Sequence, residues 1–289
     1  MRPMKAVGEK LLAPPGNKTR LTAINPENTH GITKEDAAEQ LTRNLKRLSV
    51  LQYMLYAEAK RAVLVVLQGI DAAGKDGTIR HVMNKLNPQD VTVTPFKMPE
   101  STERRHDFLW RIHNAVPEYG DIGIFNRSHY EDVLVVRVHD LVPEKTWAKR
   151  YDEINDFEKL ITTQNNTTIL KFFLHISQEE QLARFEKRLD DPARQWKISE
   201  SDYKERGYWD EYTKAFEDVL NKTSTEHAPW FIVPSNHKWF RDLAISQIIV
   251  RAMKDMDMQF PEPTVNLAEI RRKYHQAADQ EKSDRRKKR

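Results

Sequence analysis

Residues 69–77 read GIDAAGKDG, and the spacing of Gly69, Gly74 and Lys75 is one that holds phosphate. Glycines let backbone N–H groups at Ala72, Ala73 and their neighbours approach an anion. Lys75 sets a cation beside it, and a helix beginning there adds its positive end. The pattern G-x-x-x-x-G-K is that of a phosphate-binding loop, but Asp76 stands where Ser or Thr is usual, followed by Gly77. Two carboxylates, Asp71 and Asp76, lie in or beside the loop. A carboxylate ~5 Å from a phosphate charge costs about 3 kcal/mol at an effective dielectric of ~20. The loop should therefore need a divalent cation, Mg²⁺, between the charges. With the usual hydroxyl ligand missing, Asp71 is the best replacement. Asp76 could share that work or simply favour the helix start.

A second group lies in FNRSHYED. Asn126 can ligate or hydrogen-bond without adding charge, and Arg127 can neutralise charge on a phosphoryl group in transfer. Glu131, read as one turn along a helix, could supply a further metal-binding carboxylate; the bland alternatives are a surface ion pair for Arg127 and a solvated position for Glu131. A third group is the stretch from Arg184 to Arg206, with seven basic and six acidic residues. It is either a solvated helical hairpin or a lid (about 184–207) that closes over phosphates, in which Arg184 and Arg188 would take part. Arg104, Arg111 and His113 could line an acceptor side. His113 and His129 are isolated histidines, a type more often structural than catalytic.

These residues need a scaffold. Arg61 to Gln68 is a nearly continuous apolar run, as expected of a strand covered on both faces. Further strands are expected at 91–96, 121–125, 168–175 and 230–233. Helices are expected at 33–60 (opened by a Thr33/Asp36 capping box), from the loop to about Leu86, from Ser101 to before Pro117, at 143–164, from the Ser177/Glu180 box, at 208–222 and at 238–256. Five strands alternating with helices predict an α/β fold, a parallel sheet with helices on both faces. Residues 1–32 read as an extended arm, 33–260 as the phosphotransfer domain, and 261–289 as a short helix and basic tail.

The chain has 289 residues, no cysteine and a formal charge of +4. Disulfides, thiolate metal sites and cysteine nucleophiles are thereby excluded. The last ten residues hold six basic and two acidic side chains, so the rest of the chain balances to zero. Net charge therefore argues for no polyanion on the folded body, and an anion site there must be local. No apolar run reaches the ~20 residues of a membrane span, no signal peptide is visible, and a cytoplasmic protein is expected.

Taken together, VVLQGIDAAGKDGTIRHVM, PESTERRHDFLWRIHNAVPEYGDIGIFNRSHYEDVLVVRVHDLVP, TTILKFFLHISQEEQLARFEKRLDDPARQWKIS and STEHAPWFIVPSNHKWFRDLAISQII resemble polyphosphate kinase family 2. The resemblance runs from about Leu48 to Met256. It implies a thymidylate-kinase-like P-loop fold with a helical lid. It also implies Mg²⁺-dependent, reversible phosphoryl transfer between inorganic polyphosphate and AMP or ADP, with guanine nucleotides left open. Asp71 and Lys75 fall in the family's phosphate-loop motif, Asn126 and Arg127 in its second motif, Arg184 and Arg188 in its lid. Asn126, where many members carry Asp, is similar to the single-domain class acting on both AMP and ADP. Family members assemble as dimers or tetramers, so a homo-oligomer is expected. The competing readings are an ATP-dependent nucleotide kinase on the same fold and a nucleic-acid binder using the tail RRKKR. The tail is too short to outweigh the loop, and no nucleic-acid or membrane partner is expected.

Overall fold

The computed structural model describes residues 7–16 and 18–287. It divides into a body ending at Met258 and a C-terminal unit from Gln259.

In chain order the body contains α1 (Val7–Leu11), β1 (Leu12–Ala13), α2 (Lys34–Glu58), β2 (Ala62–Gln68), α3 (Lys75–Val82), β3 (Val91–Pro95), α4 (Trp110–His113), β4 (Ile122–Asn126), α5 (Val135–Val138), α6 (Glu144–Trp147), α7 (Arg150–Gln164), β5 (Thr167–His175), α8 (Gln178–Leu189), α9 (Glu200–Arg206), α10 (Trp209–Thr223), β6 (Trp230–Pro234) and α11 (Lys238–Asp255). The C-terminal unit is the exposed helix α12 (Leu267–Lys287) and the segment before it.

The sheet has six strands in the order β1-β6-β5-β2-β4-β3. The strand count expected from sequence was one short. Leu12–Ala13, in the segment read as an arm, pairs antiparallel with Phe231 and Trp230, while the other pairings are parallel. A two-residue strand carries no alternation to detect. The apolar run at β2 is buried throughout because both faces are covered. Val63, Val65 and Leu67 join a cluster with Leu48 and Leu55 of α2 and Phe240, Ile245 and Ile249 of α11. Leu64 and Val66 join the opposite cluster with Phe125, Ile154 and Phe157 of α7 and Phe216 of α10. The period of two in side-chain direction thus builds both cores from one strand.

Three helices are shorter than expected from sequence, and α3 stops at Val82 rather than near Leu86. The stretch from Ser101 is a 3₁₀ turn (Glu103–Arg105) and then the single turn α4. Asp107 interrupts it by accepting the Leu109 N–H at 2.9 Å, a local bond that competes with the helical ladder. The helix expected from Pro143 breaks into α6 and α7. Thr33 and Ser177 cap as expected, accepting the N–H groups of Asp36 and Glu180.

In the register, Leu67 lies opposite Asn126, the last residue of β4, and Gln68 opposite Phe173, so β2 and β4 end within a residue of each other while β5 runs on to His175. The loops leaving them share the sheet's carboxyl edge, where open α/β sheets bind ligands.

Candidate active site

β2 ends at Gln68 and α3 starts at Lys75, and the turn between them needs its glycines. Gly69 (φ 154°) and Gly74 (φ 110°) lie where side chains are strained. A methyl group on Gly69 would also come within 2.9 Å of the Leu174 carbonyl oxygen. Ala72 takes φ 63° without being glycine, a local strain held by its surroundings.

Lys75 Nζ donates to the Gly69 carbonyl at 2.6 Å and reaches Ile70 O at 3.4 Å. Burial lowers its pKa; Asp71, Glu131 and Asp76 partly oppose this, while Arg127 adds to it. Arg127 sits at φ 63°, its N–H bonded to Leu67 O at 3.1 Å, so the strand's last bond turns the chain sharply there. That left-handed position aims the guanidinium at Asp71 Oδ1, 3.1 Å away. Burial works against the Arg127 charge, but Glu131 and Asp71 more than offset it and its pKa rises.

Glu131 lies in a 3₁₀ turn (His129–Asp132), capped by Ser128, rather than in the helix expected from sequence. It is not solvated on an outer face: it lines a cavity together with Gly69, Asp71 and Arg127. Burial raises its pKa, against the pull of Arg127, Lys75 and a hydrogen bond with Gln68. Asn126 Nδ2 donates to Asp76 Oδ1 at 2.9 Å, and Lys197 Nζ lies 3.6 Å from the other oxygen. Burial works to raise the Asp76 pKa; the Asn126 hydrogen bond, then Lys197 and Lys75, win and hold it below the ordinary value. Asp76 is therefore tied to β4 and to the 184–207 segment besides opening α3.

The cavity has a volume of about 400 Å³. Its lining combines charged side chains, Asp71, Arg127, Glu131, Glu205 and Arg206, with apolar and aromatic ones that include Leu134, Trp209, Tyr212 and Phe216. Burial and Glu205 push the Tyr212 hydroxyl's pKa up, and it donates to Glu205 Oε2 at 2.9 Å. A neighbouring cavity of about 460 Å³ shares Ile70, Trp209 and Phe216. Among the described residues no lysine or arginine lines it, so they give it none of the charge a phosphate chain requires.

Other residues singled out from sequence sit elsewhere. Arg104 Nε donates to Pro99 O at 2.9 Å on the surface. Arg111 is buried, donating to Lys97 O at 2.8 Å, with Glu103 3.6 Å away and Phe96 beneath its guanidinium. The His113 ring meets Phe157 edge-on at 4.7 Å. None of the three lines either cavity.

Arg184 lies inside α8, 6% exposed, with its guanidinium behind the phosphate loop. It donates to Ala72 O and Ala73 O at 2.8 Å each, to Ser235 O at 2.5 Å and to Glu180 Oε1 at 2.7 Å. Arg188 reaches Lys197 O at 3.3 Å and lies 3.9 Å from Asp202, bracing the segment that carries α9. His129 is buried with Nε2 3.1 Å from Glu158, in keeping with a structural role. Glu158 also pairs with the fully buried Lys171 at 2.6 Å, and Tyr130 O–H donates to it at 2.8 Å.

Sequence reasoning missed Gln68, Tyr212 and a buried pair, Arg241–Asp242. For the last a signal was present: two adjacent charges near the start of an otherwise apolar helix.

A strand–loop–helix phosphate cradle, facing two carboxylates and an arginine at the carboxyl edge of an α/β sheet, is the apparatus of a phosphate-transferring protein. The polyphosphate kinase 2 (PPK2) family model matches residues 31–261, and the chain belongs to that family. It is 46% identical over 257 residues to the AMP/ADP-polyphosphate phosphotransferase of Meiothermus ruber, covering 88% of this chain and 96% of that one. It is 46% identical over 244 residues to the ADP-polyphosphate phosphotransferase of Rhodopseudomonas palustris, covering 80% of this chain and 84% of the relative. Polyphosphate kinase 2 from Arthrobacter aurescens TC1 superimposes with a TM-score of 0.90 at 41% identity, covering 94% of this chain and 97% of that one.

Proposed function

We propose that the protein transfers phosphoryl groups between inorganic polyphosphate and AMP or ADP, on a P-loop fold of the thymidylate-kinase type. The observation that carries this is the cavity that Gly69, Ile70 and Asp71 of the loop line together with Arg127, Glu131 and the aromatic side chains of Trp209, Tyr212 and Phe216. The aromatic side chains suit a nucleoside, and the loop with Arg127 suits phosphates. The names of the Meiothermus and Rhodopseudomonas relatives favour AMP and ADP as acceptors.

The loop N–H groups from Gly69 to Gly77, Lys75 and the start of α3 hold the end of the polyphosphate chain. An oxygen of the acceptor's terminal phosphate attacks the chain's terminal phosphorus, and the bridging P–O bond behind it breaks. The nucleotide gains one phosphate and the chain loses one. One anhydride replaces another, so the reaction is reversible. Arg127 offsets the charge on the group in transfer. Asn126 carries no charge where an acid would repel the acceptor.

Mg²⁺ fits the donor chemistry. Among the described residues no group of three or more His, Cys, Asp or Glu is arranged as a metal cage. Two carboxylates, Asp71 and Glu131, face Arg127, and Mg²⁺ is commonly held by one or two carboxylates plus substrate phosphates. Bound there, the ion would supply the positive charge that two acids beside a phosphate chain demand; Asn126, whose amide Nδ2 is held by Asp76, would be a further candidate ligand through its oxygen. The segment 184–207, anchored to Asp76 through Lys197, serves as the lid. Among the described residues no helix is long and apolar enough to cross a membrane.

The test is purified protein with Mg²⁺, long-chain polyphosphate and AMP, without ATP. ADP and ATP should accumulate. No product, with turnover restored by ATP as donor, would favour an ATP-dependent nucleotide kinase.

A further inference from the structure

α11 is a core helix, with Phe240, Leu243, Ala244 and Ile245 fully buried, yet its second turn carries Arg241 at 1% exposure. Burying a guanidinium is costly unless it is paired and hydrogen-bonded. Its partner is the next residue: Nε and Nη2 donate to Asp242 Oδ1 at 2.9 and 2.7 Å. The other Asp242 oxygen lies 2.9 Å from His81 Nδ1 on α3, so the pair is tied to the helix that the phosphate loop opens.

Arg241 Nη1 has none of these bonds, and it meets the loop. A methyl group built on Gly74 would overlap Nη1 and approach Cζ to 3.1 Å, with Arg184 Nη1 3.6 Å away. One built on Gly77 would lie 3.3 Å from Arg241 Nη2. Gly74 has a second reason to be glycine, its φ of 110°. Gly77 has none: it lies within α3, where alanine would be favoured by about 1 kcal/mol. A side chain at 77 would press on Arg241, whose guanidinium would have to give by a few tenths of an ångström.

We propose that Arg241, oriented by Asp242, is a positioning residue of the phosphate loop, admitted by Gly74 and Gly77. It acts beside Arg184. Arg184 takes the carbonyls of Ala72 and Ala73, and Arg241 props the turn at Gly74, so the loop's N–H groups stay directed at the phosphate chain. The two guanidiniums also concentrate positive charge next to the loop. Lys238, one turn before Arg241, shows the crowding: burial lowers its pKa first, and Arg184, Arg241 and Lys187 lower it further. This inference rests on residues 69–77 being the phosphate loop.

The experiment uses the full chain and four variants: Lys75→Ala, Gly77→Ala, Arg241→Ala and the double Gly77→Ala/Arg241→Ala. Thermal midpoints are measured with kcat and KM for polyphosphate and for AMP. Gly77→Ala should lower kcat/KM for polyphosphate about tenfold or more, although alanine is the better helix former, and should leave the KM for AMP within about twofold. Arg241→Ala should do the same. The double variant should be no worse than Arg241→Ala, because the added methyl then meets no guanidinium and the two effects do not add. Full polyphosphate kinetics in Gly77→Ala, or losses that multiply in the double variant, would overturn the proposal, even where Arg241→Ala fails to fold. An active Lys75→Ala would instead overturn the reading of the loop.

Discussion

Asn126→Asp changes one atom and tests the logic of the site. In the structure the Asn126 amide donates to Asp76 Oδ1 at 2.9 Å. Aspartate there would replace a donor by a second negative charge about 3 Å away. Coulomb's law gives about 5 kcal/mol of repulsion at a dielectric of 20 and about 1 kcal/mol at 80. The lower end applies, because the Asp76 side chain is 68% exposed and Lys197 lies 3.6 Å from its other oxygen. About 1–2 kcal/mol remains, roughly a tenfold change in local equilibria. Asp76 also loses the hydrogen bond that now does most to hold its pKa down.

A pair of acids beside a phosphate site repels phosphate more strongly and attracts Mg²⁺ more strongly. AMP and ADP differ by one phosphate, so if residue 126 faces the acceptor the added charge should act on them unequally. Asn126→Asp should change the ratio of kcat/KM for AMP to that for ADP, and move the Mg²⁺ concentration giving half-maximal rate. Initial rates with each acceptor, at fixed polyphosphate across a Mg²⁺ series, read both. Should the two efficiencies fall by one common factor at every Mg²⁺ concentration, residue 126 has no part in acceptor choice and the electrostatic argument fails.

Lys75→Ala should lower kcat at least a hundredfold, as removal of one preorganised charge-stabilising group does, with little change in thermal midpoint; near-normal turnover would refute its role. Asp71→Asn should lose activity at saturating nucleotide and recover only partly in excess Mg²⁺, whereas full wild-type activity in EDTA would remove the case for a metal. Asp132 offers a stability test: burial pushes its pKa up to about 6, despite the pull of Arg150 and Arg111. A carboxyl with a raised folded pKa contributes stability that is present below its unfolded value of about 4 and lost as pH rises through 6. The shift of about two units corresponds to about 3 kcal/mol. Wild type minus Asp132→Asn, followed by denaturant unfolding from pH 3.5 to 7, should show that loss; a flat difference would contradict it.

Much of the scaffold was legible because its signals are local. The β2 run has one explanation at its length, and the Gly-Lys spacing marks its own loop. β1 was not legible, because two residues carry no period and its pairing with β6 depends on chain more than two hundred residues away. Glu131 was legible as a useful carboxylate, but its setting in a 3₁₀ turn depends on the Ser128 cap. Arg184 shows the limit of reading residue types. An arginine in a basic stretch near a phosphate loop suggests a phosphate ligand, yet its donors meet the loop's own carbonyls. Type and position cannot tell which acceptor saturates a guanidinium.

Charges inside apolar runs were the underused signal. Lys171 interrupts β5 and Arg241 interrupts α11, and both are almost completely buried. Neither is tolerable alone, so each predicts a partner: Glu158 lies 2.6 Å from Lys171, and Asp242 2.7 Å from Arg241. Both pairs hold backbone that leads into the site. Lys171 donates to the Tyr130 hydroxyl at 2.8 Å, one residue before Glu131, and Arg241 abuts Gly74, one residue before Lys75. Loops that must direct charge at a moving phosphoryl group cannot be held by apolar contacts alone, which fix volume better than direction. Hydrogen-bonded ion pairs fix direction, and a site of this kind puts its most expensive buried charges next to the backbone it most needs to hold still.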